Sequence, residues 1–176
     1  MKQRPQAKPN RLLALAPSTR GLGFAVLEGE GVLVDWGVKS VTGDKNLKSV
    51  AKVEELLALY HPRVLVLEDH SARRSPRIHA LNSLLTHLAK QHEIKVRLLS
   101  RDRVYRCFGM AENGTKHALA EILAARFPQE LGARLPPKRR AWTSQDYRMG
   151  IFDAVALGLA PILLRQRRKL GANATI

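Results

Sequence analysis

Two acids stand out by their surroundings. Asp153 sits inside Gly-Ile-Phe-Asp-Ala-Val-Ala-Leu-Gly-Leu-Ala, residues 150–160, which is apolar nearly all the way round. A helix of that kind is buried. An ionised carboxylate within it is costly unless it is paired with a cation or bound to a metal. The partner is therefore either a metal ion or an arginine. Gly150, Ala154, Ala156 and Gly158 are small and allow this helix to lie close against a sheet. Glu68 closes the apolar run Val64-Leu65-Val66-Leu67, so it is either a ligand at a strand end or a solvated strand-end acid. Asp69 would point to the opposite face if the strand continued. Asp146 stands seven residues before Asp153, two turns up and roughly on the same helical face. Thr143-Ser144-Gln145-Asp146 reads equally well as an N-terminal capping arrangement.

The cations are as distinctive as the acids. Thirty Lys and Arg against fifteen Asp and Glu leave a net charge of +15, which points to a polyanionic partner, with nucleic acid ahead of a ribosome-associated or merely basic protein. Arg20, Arg73, Arg74, Arg77, Lys138, Arg139 and Arg140 are candidate phosphate contacts. Lys116 and His117 follow Asn113-Gly114-Thr115 in the first turn of an expected helix. There they oppose the helix dipole at about 0.3–1 kcal/mol each, and a phosphate docked on the free N–H groups reverses that sign. Such a set reads shape and phosphates rather than bases and makes binding steeply salt-dependent. Trp142 and Tyr105 are candidates for stacking on a base, with core packing as the default for each. The six histidines show no ligand spacing, and only His70 falls near Glu68. The single cysteine, Cys107, excludes an internal disulfide and a cysteine-based zinc cluster.

Elements that could position these groups follow from the apolar pattern. A length of 176 residues at 45% hydrophobic suits one domain. No run of about 18 apolar residues is present, so no membrane span is expected. Met1 to Asn10 is polar and basic, without a signal-peptide core, and a reducing, cytoplasmic setting is the default. Leu12–Ala16, Leu22–Leu27 and Val32–Ser40 are expected as an antiparallel meander, with Pro17 ending the first strand. Asp44 caps a helix to Tyr60, and Pro62 breaks it. A strand over 63–68, a helix over Ile78–Gln91, a strand over 94–99 and a short helix capped by Ser100 come next. Thr115 caps a helix to Phe127, residues 128–141 are irregular, and the last helix runs from Thr143 to about Arg165. The expected division is a basic tail at 1–10, one domain at 11–166 and a basic, frayed end at 167–176.

The hairpin at its start, Arg-Leu-Leu-Ala-Leu-Ala-Pro-Ser-Thr-Arg-Gly-Leu-Gly-Phe-Ala-Val from Arg11 to Val26, resembles the opening motif of RuvC-like nucleases. These are the Holliday-junction resolvases of the ribonuclease H-like fold. Their first strand ends in Asp, Pro, a small polar residue and a Gly-containing turn. Pro17, Ser18, Thr19, Gly21 and Gly23 match, and Ala16 stands where the Asp belongs. Glu68 matches the second acid of the family and Asp153 its Asp-Ala-x-Ala-Leu signature. Gly150 occupies the position of the other helix carboxylate, for which Asp146 is a candidate substitute. Lys116 matches the Lys of a Gly-x-Gly-x-x-x-Lys-like segment.

The resemblance implies an α/β, ribonuclease H-like fold, a mixed five-stranded sheet flanked by helices. It also implies cleavage of branched or four-way DNA by a homodimer with two Mg²⁺ ions, or Mn²⁺ in their place, held by four carboxylates. Ile78–Gln91 is a candidate dimer face. Hard cations take oxygen ligands, and two of them clamp the attacking and leaving oxygens. Ala16 offers no oxygen, so the chain as written is expected to be a poor or inactive nuclease, with Glu68, Asp153 and Asp146 as its remaining metal candidates. It is either a natural pseudo-nuclease that binds junctions or a chain in which Asp was replaced by Ala. A non-catalytic nucleic-acid-binding protein on the same fold is the competing class, and cleavage with Asp restored at position 16 separates the two. An actin-like sugar kinase would need two such domains.

Overall fold

The structure is a computed structural model that describes residues 10–18, 20–70, 75–111 and 114–173. Arg73 and Arg74 lie outside the described residues, as do nine residues of the expected N-terminal tail. The elements are β1 (Arg11–Ser18), β2 (Gly21–Glu28), β3 (Val32–Ser40), α1 (Lys45–Tyr60), β4 (Val64–Glu68), α2 (Pro76–Gln91), β5 (Lys95–Leu99), α3 (Arg101–Cys107), α4 (Lys116–Arg126), a 3₁₀ turn (Gly132–Arg134) and α5 (Met149–Asn173). The sheet has five strands in the order β3-β2-β1-β4-β5. β1, β2 and β3 pair antiparallel, and β4 and β5 join them in parallel. This is the mixed sheet expected from the sequence.

Side-chain alternation along the strands decides which helices lie on which face. Leu13, Leu15, Phe24, Val26, Leu65 and Leu67 pack with α1 and α2, while Ala14, Ala16, Ala25, Leu27 and Val66 pack with α3, α4 and α5. The α5 face carries the smaller side chains, so α5 comes close. A Cβ on Gly158 would lie 2.4 Å from Leu27 Cδ1, and one on Gly23 would lie 2.0 Å from the Gly150 carbonyl oxygen. Gly23 is therefore the position where α5 meets the backbone of β2. Since Gly23 pairs with Ala16, the same contact sets the start of α5 beside Ala16.

Three caps expected from the sequence are present. The side chains of Asp44, Ser100 and Thr115 accept from the backbone N–H of Leu47, Arg103 and Ala118. Among the boundaries that differ, three bear on the site. β1 continues through Pro17 to Ser18. Its pairing with β4 stops at Leu15, so Pro17 sits where the strand has a neighbour on one side only, and a missing N–H is tolerated there. α5 begins at Met149 rather than Thr143, because Asp146 ties itself to Arg148 and the chain turns before it coils. Its other end runs on to Asn173 instead of fraying after Arg165, since Arg167 donates to the carbonyls of Arg106 and Cys107 on α3. The stretch Met149–Gly171 is long and apolar enough to cross a membrane by composition alone. However, 67% of its apolar window is buried inside the protein, so its apolarity is accounted for by the sheet and helices around it.

The end of α1 is fastened to the edge strand by the Tyr60 hydroxyl, which donates to the Asp35 carboxylate on β3. That hydrogen bond, with burial and the Asp35 charge behind it, pushes the phenol up to about 12. A pKa raised on folding contributes stability that is intact below the unfolded value near 10 and is lost as pH climbs through the folded one. Tyr60→Phe is therefore expected to lower the melting temperature at neutral pH. It should also flatten the decline between about pH 10 and 12 that the parent chain shows. Melting curves across that range, with near-ultraviolet absorbance to follow phenolate formation, are the check.

Candidate functional site

The register of β1 and β4 places the first two positions side by side. Ala14 pairs with Val66 and Leu15 with Leu67, so one step further sets Ala16 beside Glu68. Alternation gives Ala16 and Glu68 the face that Ala14 and Val66 share, which is the α5 face. Asp153, one turn into α5, meets them from above. Ala16, Glu68, Asp146, Gly150 and Asp153 all line one open cleft of about 660 Å³, and Arg20, Arg77, Arg101 and Lys116 line it with them. Glu68 and Asp153 also share a smaller recess walled by Arg101, Val104, Tyr105 and Leu119. Positions spread over 138 residues of chain (Ala16 to Asp153) thus converge at the carboxyl ends of β1 and β4.

Each acid in the cleft already has a cation. Asp153 Oδ2 accepts from Lys116 Nζ at 2.5 Å, with the two side chains 19% and 28% exposed. Glu68 lies 3.3 Å from Arg101 Nη2 and 3.9 Å from His70 Nε2. Asp146 accepts from the backbone N–H of Arg148 and from its guanidinium, at 2.9 and 2.7 Å, and the Arg148 hydrogen bonds hold its carboxyl below the usual carboxylate range. Asp146 thus ties the turn before α5 while still lining the cleft, rather than capping a helix that opens at Thr143. Asp153 is paired as the sequence allowed, with a lysine in place of an arginine.

This donor set does not fit a pair of divalent ions. Ala16 contributes no oxygen, and Gly150 contributes only backbone. Among the described residues no three His, Cys, Asp or Glu side chains are grouped to hold a metal ion. Glu68 and Asp153 instead carry one side-chain cation each, Arg101 and Lys116.

The expected phosphate contacts divide into three groups. Arg20 and Lys116 line the cleft, as does Arg77, which is tied down by donating to the Ser18 carbonyl and to Asn46 Oδ1. Lys138, Arg139 and Arg140 line a neighbouring cavity that shares Arg20, Asp146 and Tyr147 with the cleft. Arg73 and Arg74 lie outside the described residues. Tyr105 is buried in the core as expected, whereas Trp142 is 80% exposed. Sequence reasoning missed Arg101, yet a signal existed. Glu68 pairs with Leu99 across the parallel β4–β5 ladder, so a residue two beyond Leu99 falls within reach of Glu68.

A scan against protein-family models finds no match, and a search of the curated proteins finds none either. Solved structures do match. RuvC of Thermus thermophilus superposes with a TM-score of 0.65 at 16% identity, covering 89% of this chain and 96% of that one. This chain has the RuvC fold. The yeast mitochondrial Holliday junction resolvase matches with a TM-score of 0.58 at 12% identity, over 90% of this chain and 82% of that one. The Fowlpox virus resolvase, in complex with its substrate Holliday junction DNA, matches at 0.54 and 14%, over 86% and 96%. The RuvC-like architecture therefore extends over nearly the whole chain, at identities that leave side chains free to differ.

Proposed function

We propose that this protein is a structure-selective DNA-binding protein of the resolvase type. It takes branched DNA, four-way junctions above all, into the cleft beside Ala16, and as written it cuts that DNA poorly or not at all. The carrying observation is the convergence of Ala16, Glu68, Asp146 and Asp153 in one open cleft rimmed by Arg20, Arg77 and Lys116. An excess of 15 positive charges supplies the attraction to a phosphate backbone. The poor cleavage follows from the donor set: a missing oxygen at position 16, and Glu68 and Asp153 already neutralised by Arg101 and Lys116. Retention of those two acids at the cleft favours, as a second reading, a nuclease lacking one ligand. Two-fold pairing of the chain, with α2 as the candidate face, would match the symmetry of a four-way junction.

The test is a pair of titrations at one salt concentration, with a labelled four-way junction and with a linear duplex of equal length. The junction is expected to bind at least about tenfold tighter, a preference of roughly 1.4 kcal/mol, with two protomers per junction. Equal affinity for the two DNAs would overturn the proposal.

A further inference from the structure

The segment between the 3₁₀ turn and α5 carries an aromatic surface that the cleft does not use. Trp142 is 80% and Tyr147 59% exposed. Both line a second cavity of about 570 Å³, together with Arg20, Lys138, Arg139 and Arg140. Trp142 stands on a turn fixed by its own hydrogen bonds. Thr143 N–H and Oγ1 donate to the Arg140 carbonyl at 3.1 and 3.0 Å, and Arg139 Nε donates to the Thr143 carbonyl at 2.7 Å. The Arg140 guanidinium lies over the indole, 5.9 Å from its centroid, and the rest of the ring is open to solvent. The one acid in this cavity, Asp146, is neutralised by Arg148.

An indole held out in water among four cations is poorly suited to an apolar protein partner, whose contact would bury those charges. It is well suited to a nucleobase, since bases stack on aromatic faces while Lys and Arg take the flanking phosphates. Because this cavity shares Arg20, Asp146 and Tyr147 with the cleft, a strand leaving the cleft can run directly onto it.

We propose that the turn around Trp142 is a docking site for unpaired DNA: Trp142 stacks on a base, and Arg20, Lys138 and Arg139 hold the adjoining phosphates. The proposal rests on the reading of this protein as DNA-binding, but it does not require a preference for junctions. The test uses fluorescence anisotropy with a labelled single-stranded oligonucleotide and a duplex carrying the same number of phosphates. Trp142→Ala is expected to weaken single-strand binding by about tenfold or more while duplex binding stays within about twofold. Trp142→Phe, which keeps a ring, is expected to retain most of the affinity. An equal loss on both DNAs, or no loss on the single strand, overturns the proposal, and an unchanged melting temperature confirms that the variants are folded. Failure of the parent chain to prefer a four-way junction over a duplex would overturn the proposed function and leave this result standing.

Discussion

Millimolar Mg²⁺ is expected to raise the melting temperature of an Ala16→Asp, Arg101→Ala double variant by several degrees, and to leave the parent chain unmoved. Ala16 is nearly buried but lines the cleft, so a carboxylate built there borders the cleft beside Glu68. Restoring that oxygen donor alone leaves Glu68 engaged by Arg101 at 3.3 Å, and a guanidinium at that distance repels an incoming dication. Removing Arg101 as well frees Glu68 from its guanidinium, with only His70 Nε2 left beside it at 3.9 Å. Glu68 and the new Asp then adjoin as a pair of oxygen donors that hard cations accept, while Asp153 across the cleft stays with Lys116. A ligand that binds only the folded state stabilises it by mass action, about 2.7 kcal/mol at a hundred times its Kd, hence the rise in melting temperature. Cleavage of a four-way junction in Mg²⁺ is expected to follow. The double variant should exceed the parent by at least about 100-fold, since metal stabilisation of the transition state contributes several kcal/mol and each 1.36 kcal/mol is tenfold. Ala16→Asp alone should recover only a small part of this. Full recovery by that single variant would show that Arg101 is no obstacle. A double variant that neither binds Mg²⁺ nor cuts would remove the argument for nuclease ancestry.

What the sequence made legible was governed by local pattern. The meander, the helix-to-strand crossovers and three caps follow from apolar spacing and from Asp44, Ser100 and Thr115, signals that lie within a few residues of what they determine. Both ends of α5 differ from the local pattern because distant or competing contacts decide them. Thr143-Ser144-Gln145-Asp146 has the composition of a helix start, but Asp146 is bound to Arg148 two residues later. At the far end, Arg167 reaches carbonyls on α3 some 60 residues earlier in the chain.

The site was legible by position and obscure in its pairings. A buried acid such as Asp153 announces that it has a partner, and nothing nearby in sequence says which; Lys116 stands 37 residues away. Core packing is the default for Trp142 by residue type, with base stacking as the alternative, yet it follows Lys138-Arg139-Arg140, whose desolvation no core would repay. Its neighbours were the better guide to its exposure.

The pairings also make a second large effect expected. Glu68→Gln with Asp153→Asn should tighten binding to a four-way junction by tenfold or more at low salt. Two negative charges leave the cleft proposed to take phosphates, and two cations that now face inward, Arg101 and Lys116, lose the carboxylates that hold them. Each cation that turns to a phosphate releases a counterion and steepens the plot of log affinity against log salt by about 0.9. The double variant should therefore differ from the parent by a slope of nearly 2. Because the gain is electrostatic, it should shrink as salt rises. Affinities measured over a salt series give both quantities at once. A tighter complex with an unchanged slope would mean that removing repulsion alone explains the gain and that Arg101 and Lys116 do not reach the DNA. Unchanged affinity and slope would place the DNA away from this cleft altogether.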